Sequence, residues 1–210
     1  PLKKFKVDIK LTNKGLPLTI KGTENPLPIN YLENRGSAQC KSSVIFAGLK
    51  TPGKTFIKAK KSRNHTELLC KYLKLPLKVK ENKNYDLIEV KKVKKIKPLN
   101  YKIPSDISSA AFFMVLTTLS NNSKLLIKNV NINPSRIGII TILKKMGVII
   151  KYRNKKNYKG ELVADISINS SKKLKAINCP PKLNSGAIDE FLIIFLVAAK
   201  AKGVSYFKDI

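Results

Sequence analysis

One order of elements, read twice along the chain, constrains the fold more than any other feature of the sequence. In the first half, residues 37–49 read as a helix, 54–60 as a strand, 64–73 as a helix, and 77–80 and 86–92 as strands. In the second, 106–119 read as a helix, 124–130 as a strand, 135–146 as a helix, and 148–152 and 161–169 as strands. Both halves are αβαββ, displaced by roughly 70 to 74 residues, so that Lys54-Thr-Phe-Ile-Lys58 falls on Lys124-Leu-Leu-Ile-Lys128. An internal duplication within an α/β (α+β) fold is the expectation.

Local chemistry sets the helix limits. Asn64 and Glu67 read as a capping box, with Leu68, Leu69, Tyr72 and Leu73 following at helical spacing. In the other half Pro134 opens the helix, Ile139, Ile140, Leu143 and Met146 form its apolar face, and Gly147 ends it. Additional strands are expected at 18–21 and 29–32. After the second repeat come a strand at 173–177, a connector from Cys179 to Leu183, a helix at 189–201 and a strand at 204–208. The segment 97–104, with Pro98 and Pro104 and few strong helix formers, is the expected linker, dividing the chain into domains 1–103 and 104–210.

The formal charge of +29 suggests nucleic acid, because clustered cations gain affinity by releasing counterions from phosphates. The excess, however, is nearly all lysine, with arginine only at Arg35, Arg63, Arg136 and Arg153, and little interleaving of aromatics with basic residues. A solvated, lysine-biased surface that attracts small polyanions is the preferred reading, and a nucleic-acid role is not expected. Cys40, Cys70 and Cys179 are odd in number and widely spaced, and His65 is the one histidine. That pattern argues against a disulfide framework and a zinc site and suits a reducing cytoplasm. The longest apolar run, 191–199, is under half of the ~20 residues a bilayer requires. No targeting segment is read at 1–10, where lysines alternate with apolar residues.

Four stretches could carry chemistry. Arg35-Gly-Ser-Ala-Gln-Cys-Lys41 puts small polar residues at a helix start, where free N–H groups favour an anion, although Ser37 also reads simply as a cap. Lys61-Ser-Arg-Asn-His-Thr-Glu67 is a second polar helix start; capping accounts for Asn64 and Glu67 but not for the forked donor Arg63, and the isolated His65 reads as structural. Ile103-Pro-Ser-Asp-Ile-Ser-Ser-Ala-Ala-Phe-Phe113 joins an acidic cap, Asp106, to a small-residue helix face. Asn184-Ser-Gly-Ala-Ile-Asp-Glu190 places two acids ahead of a strongly apolar helix. There Asp189 is equally readable as a dipole-stabilised carboxylate or as a partly desolvated base.

Taken in order, Ser-Ala-Gln-x-Lys-Ser, Ser-Arg-x-His-Thr-Glu, Pro-x-Asp-Ile-Ser-Ser-Ala-Ala-Phe-Phe and Ile-Asp-Glu before a helix ending Ala-x-Ala-x-Gly resemble the enolpyruvyl-shikimate-phosphate synthase family. Leu16-Pro-Leu-Thr-Ile-Lys-Gly22 and Lys145-Met-Gly147 support the resemblance, which runs from about residue 10 to 210. It implies an enolpyruvyl transferase fold: two domains of repeated βαβαββ units, an inside-out α/β barrel, here incomplete. It also implies transfer of the enolpyruvyl group of phosphoenolpyruvate to the 5-hydroxyl of shikimate 3-phosphate, with no cofactor or metal, in a cytoplasmic monomer. By the resemblance, Ser37, Ala38, Gln39, Ser62 and Arg63 would hold shikimate 3-phosphate, Gln39 would also reach phosphoenolpyruvate, and Asp189 would bind the shikimate hydroxyls and act as the base. Two positions depart from the family pattern: Ser105 stands for a glycine, which would strain a turn, and Asn64 for an aspartate. The family's other motifs would lie before Pro1 and after Ile210, so these 210 residues alone are expected to be inactive. A basic nucleic-acid-binding protein and a non-catalytic homologue remain the alternatives.

Overall fold

The computed structural model describes residues 1–13 and 15–210. It divides into two compact units, Pro1–Leu99 and Asn100–Ile210, at a point inside the Pro98 to Pro104 segment.

Unit 1 opens with a 3-10 turn over Leu2–Phe5 and an antiparallel hairpin of β1 (Asp8–Thr12) and β2 (Gly15–Lys21). There follow β3 (Asn30–Glu33), α1 (Ala38–Gly48), β4 (Lys54–Lys60), α2 (His65–Tyr72), β5 (Leu77–Glu81) and β6 (Tyr85–Lys91). The sheet order is β3-β4-β6-β5, with β3 parallel to β4 and the other pairs antiparallel. Strand periodicity decides which face is buried: on β4, Thr55, Ile57 and Ala59 turn inward while Lys54, Phe56, Lys58 and Lys60 face out. Val44 and Ile45 of α1 pack with Ile57, Ile88, Val90 and Cys70, and burying each large side chain contributes about 1.5–3 kcal/mol.

Unit 2 contains α3 (Ile107–Leu119), β7 (Lys124–Asn131), α4 (Gly138–Lys145), β8 (Ile150–Tyr158) and β9 (Glu161–Asn169). After these come β10 (Asn178–Cys179), a 3-10 turn over Pro181–Gly186, α5 (Phe191–Lys200) and β11 (Tyr206–Phe207). Its sheet, β7-β9-β8, repeats the antiparallel β4-β6-β5 arrangement, and a parallel bridge between Ser105 and Val130 stands where β3 pairs with β4. The core gathers Ile107, Met114, Ile139, Leu143, Ile166, Phe191 and Ile194 from both sheet and helices.

The duplication extends to the caps. Ser37 Oγ accepts from Cys40 N (3.2 Å) and Asp106 Oδ2 from Ser109 N (2.9 Å), each three residues into its helix. At the other end of the second helices, Leu75 N donates to Cys70 O and Val148 N to Leu143 O, with Lys74 (φ 54°) and Gly147 (φ 94°) in the left-handed position between. The αβαββ order is therefore present twice.

Several local expectations are corrected. Asn64 occupies the N-cap of α2 but makes no side-chain capping bond, and Glu67 turns inward instead of back onto the cap. Helix α4 starts at Gly138 rather than at 135, because Asn133 Oδ1 accepts from Ser135 N and Ser135 Oγ and closes a separate turn first. Strand β8 starts at Ile150 and continues to Tyr158. No strand spans 173–177, where Lys175 forms only an isolated bridge to Lys202. Ser105 lies outside the positive-φ region, so it is unstrained; its N–H donates to Asn129 O and its Oγ to Lys128 O. Among the described residues, no helix is long and apolar enough to cross a membrane.

Candidate functional site

In unit 1 the predicted residues meet at two adjacent helix starts. Glu33, buried at the end of β3, accepts from Arg35 N (3.0 Å) and Gly36 N (2.8 Å), bending the chain into α1. Gly36 has φ 76°, and a Cβ there would stand 3.5 Å from Lys61 O, so the β3–α1 turn lies directly against the β4–α2 turn. Ser37 caps α1, Ala38 is its first residue, and Gln39 Oε1 accepts from Ser37 Oγ (3.4 Å). Ser62 and Arg63 lie in the neighbouring turn, ahead of His65, the first residue of α2.

Three contacts stitch these helix starts together. Lys41, with no exposed side-chain surface, donates from Nζ to Arg63 O (2.9 Å). The same ammonium stands 2.6 Å from Glu67 Oε1, a buried charge contact without the alignment of a hydrogen bond. Ser42 Oγ and Thr66 Oγ1 share a hydrogen bond of 2.7 Å. Ser62 Oγ, by contrast, is buried with no hydrogen-bond partner among the described residues, a costly state for a hydroxyl. Lys61, one residue earlier, is held off by Asp86 (2.5 Å).

Asp189 belongs to unit 2 and lies in the turn before α5, not in the helix itself. Its carboxylate is 45% exposed and stands 3.8 Å from Arg136, whose own side chain is 14% exposed. Arg136 also donates to Ser108 Oγ (2.6 Å) and Asp106 Oδ1 (3.4 Å) and lies 4.0 Å from Glu190. Glu190 is buried and accepts a short hydrogen bond from Ser108 Oγ. Burial pushes its carboxyl above the usual range, and the Ser108 bond and Arg136 only partly oppose this. Close backbone contact fixes the arrangement: a Cβ on Gly138 would meet Gly186 C at 2.6 Å, so the start of α4 packs directly on the turn that leads to Asp189.

The structure thus brings Ser37, Ala38, Gln39, Ser62 and Arg63 together in unit 1 and sets Asp189 in a charged cluster of unit 2. Sequence reasoning missed Lys41 and Glu67 in the first cluster and Ser108, Arg136 and Glu190 in the second. Arg136 had a signal available, since Ser135-Arg136 precedes α4 as Ser62-Arg63 precedes α2. Chemically, unit 1 offers hydroxyl, amide and guanidinium donors suited to a phosphate, and unit 2 a half-exposed carboxylate beside a cation. Among the described residues no group of three or more His, Cys, Asp or Glu could hold a metal ion.

The sequence profile of the family described as EPSP synthase (3-phosphoshikimate 1-carboxyvinyltransferase) matches residues 1–210. Among similar proteins, the 3-phosphoshikimate 1-carboxyvinyltransferase of Ruthia magnifica is 41% identical over 210 residues, covering 100% of this chain and 47% of that one. That of Zymomonas mobilis is 41% identical over 191 residues, covering 90% and 42%. The solved EPSP synthase of Acinetobacter baumannii superposes with a TM-score of 0.83 at 36% identity, over 97% of this chain and 46% of that one. An enolpyruvyl transferase from Streptomyces tendae, 13% identical with a TM-score of 0.68, shares the fold. The chain spans about half the length of the curated relatives it matches.

Proposed function

The chain belongs to the EPSP synthase family, and from that membership we propose that it supplies the shikimate 3-phosphate ligands of a cytoplasmic 3-phosphoshikimate 1-carboxyvinyltransferase. The substrate 5-hydroxyl attacks C2 of phosphoenolpyruvate while C3 is protonated; phosphate then leaves and C3 loses a proton. Asp189 holds the shikimate hydroxyls and takes the proton of the attacking one. The 3-phosphate is taken by Ser37, Ala38, Gln39, Ser62 and Arg63, with Gln39 turned also toward phosphoenolpyruvate. Units Pro1–Leu99 and Asn100–Ile210 are the contributions of this chain to the two domains of the family fold.

The observation that carries the reading is the buried Ser62 hydroxyl, unpartnered among the described residues and adjoining Arg63 at the paired helix starts. A bound phosphate oxygen would accept from it and remove the cost of burying it alone. Titration of the chain with shikimate 3-phosphate, followed by amide NMR, is expected to shift Ser37 to Gln39 and Ser62 to Arg63. Arg63→Met should weaken that binding by about tenfold or more, the loss of a charge-assisted contact. Unchanged affinity in the folded Arg63→Met variant would remove the proposal.

A further inference from the structure

We infer that the buried Lys41–Glu67 pair exists to hold the Ser62-Arg63 turn for its anion, making Lys41 a positioning residue rather than a fold-stabilising one. The inference rests on the reading of Ser62 and Arg63 as phosphate ligands. Lys41 lies on the core-facing stripe of α1 with Val44, Ile45 and Gly48, where an apolar side chain is the ordinary occupant. Its ammonium reaches across to α2, donating to the main-chain carbonyl of Arg63 itself and pairing with Glu67.

The second copy of the fold shows what that place needs for packing alone. Aligned on their N-caps, Ser37 and Asp106, Lys41 of α1 falls on Ala110 of α3. Aligned on their C-caps, Leu73 and Met146, Glu67 of α2 falls on Ile140 of α4. Ala110 and Ile140 are both buried in the unit 2 core. The same αβαββ unit therefore folds with an apolar pair where unit 1 keeps two charges out of water. Burying an ion pair gives little net stability over well-packed apolar residues. What distinguishes unit 1 is the bond from Lys41 to Arg63 O, next to a serine hydroxyl left unsatisfied among the described residues.

The test writes the residues of unit 2 into unit 1, as the double variant Lys41→Ala/Glu67→Ile, with Lys41→Met and Arg63→Met beside it. The double variant is expected to fold with a melting temperature near that of the parent. Its amides from Ser62 to His65 should exchange with deuterium about tenfold faster and its affinity for shikimate 3-phosphate should fall by about tenfold, as for a ligand released from its support. Lys41→Met, which leaves Glu67 buried alone, should lose both stability and affinity. A double variant with parental exchange and affinity would overturn the inference, and so would one that fails to fold, because the pair would then serve the fold. Failure of the parent chain to bind, or an Arg63→Met variant that binds normally, would instead strike the phosphate-ligand reading beneath it. Weakened binding in Arg63→Met with none in the folded double variant would strike this inference alone.

Discussion

A Ser-Arg pair follows the first strand of the repeat in both units, and the two units treat it differently. In unit 2, Ser135 Oγ donates to Asn133 and Arg136 is surrounded by Asp106, Ser108, Asp189 and Glu190. In unit 1, Ser62 Oγ has no partner among the described residues and the Arg63 main chain is clamped by Lys41. One scaffold thus carries a pair whose donors are spent on amide, hydroxyl and carboxylate oxygens of the protein and another whose serine donor has no such acceptor among the described residues. A duplicated fold can divide labour in this way because strand order and helix caps fix the position of the turn independently of what its side chains do.

The comparison can be broken most forcefully at Gly138, where unit 2 depends on backbone contact. Gly138→Ala would drive a Cβ to 2.6 Å from the Gly186 carbonyl carbon and 2.8 Å from Ala187 Cβ, both immovable without shifting the turn before Asp189. A loss of about 2–3 kcal/mol is expected from overpacking of this kind, confined to unit 2 amides in native-state hydrogen exchange. Equal loosening of unit 1 would show that the two units are not separately stable. A smaller effect, opposite in sign between the units, is expected at the shared helix ends. Gly147→Ala puts a Cβ at φ 94° and 2.9 Å from Lys173 O, while Lys74→Gly relieves a lysine at φ 54°. The first should cost about 1–2 kcal/mol and the second gain roughly 0.5–1 kcal/mol in urea unfolding; effects of one sign would mean that the two caps are not equivalent.

The smallest expected effect is a slope. Burial raises the Glu190 carboxyl, so the folded state binds that proton more tightly than the unfolded one. The contribution of Glu190 to the stability of unit 2 is then fully present below the unfolded value of about 4.3 and declines as pH rises from there through the folded value. Glu190→Gln should flatten that decline in a series of unfolding curves. An unchanged slope would place the proton elsewhere in the cluster.

What the sequence disclosed was whatever depends on neighbours along the chain. The αβαββ order, the caps at Ser37 and Asp106, strand β4 and the stop at Gly147 all follow from spacing and backbone preference. Helix α4 was misplaced at its start because the Asn133 side chain competes for the backbone there, which spacing does not reveal. The stretch 173–177 looks like a strand by composition, yet the main chain of Lys175 donates to Met146 O and that of Ala176 to Lys202 O, not to a sheet. Lys41 and Glu67 were hidden more deeply. On paper one is a surface lysine and the other a capping acid, and only the packing of α1 against α2 turns them into a pair. Arg136 was within reach through the repeat, had the Ser-Arg pair been carried across with the strands.

The lysine excess also has a consequence at the open sides of the sheets. Both β5 and β8 are edge strands, and Lys78, Lys80, Lys151, Lys155 and Lys156 on them are exposed. An unpaired edge is a template for another chain, and like charges along it keep a second copy from adding its own edge. With a formal charge of +29 the protection is electrostatic, and it weakens as the screening length contracts to about 8 Å at physiological salt. The colloidal behaviour of this protein is therefore tied to ionic strength: the ions that screen its lysines also let its sheets approach one another.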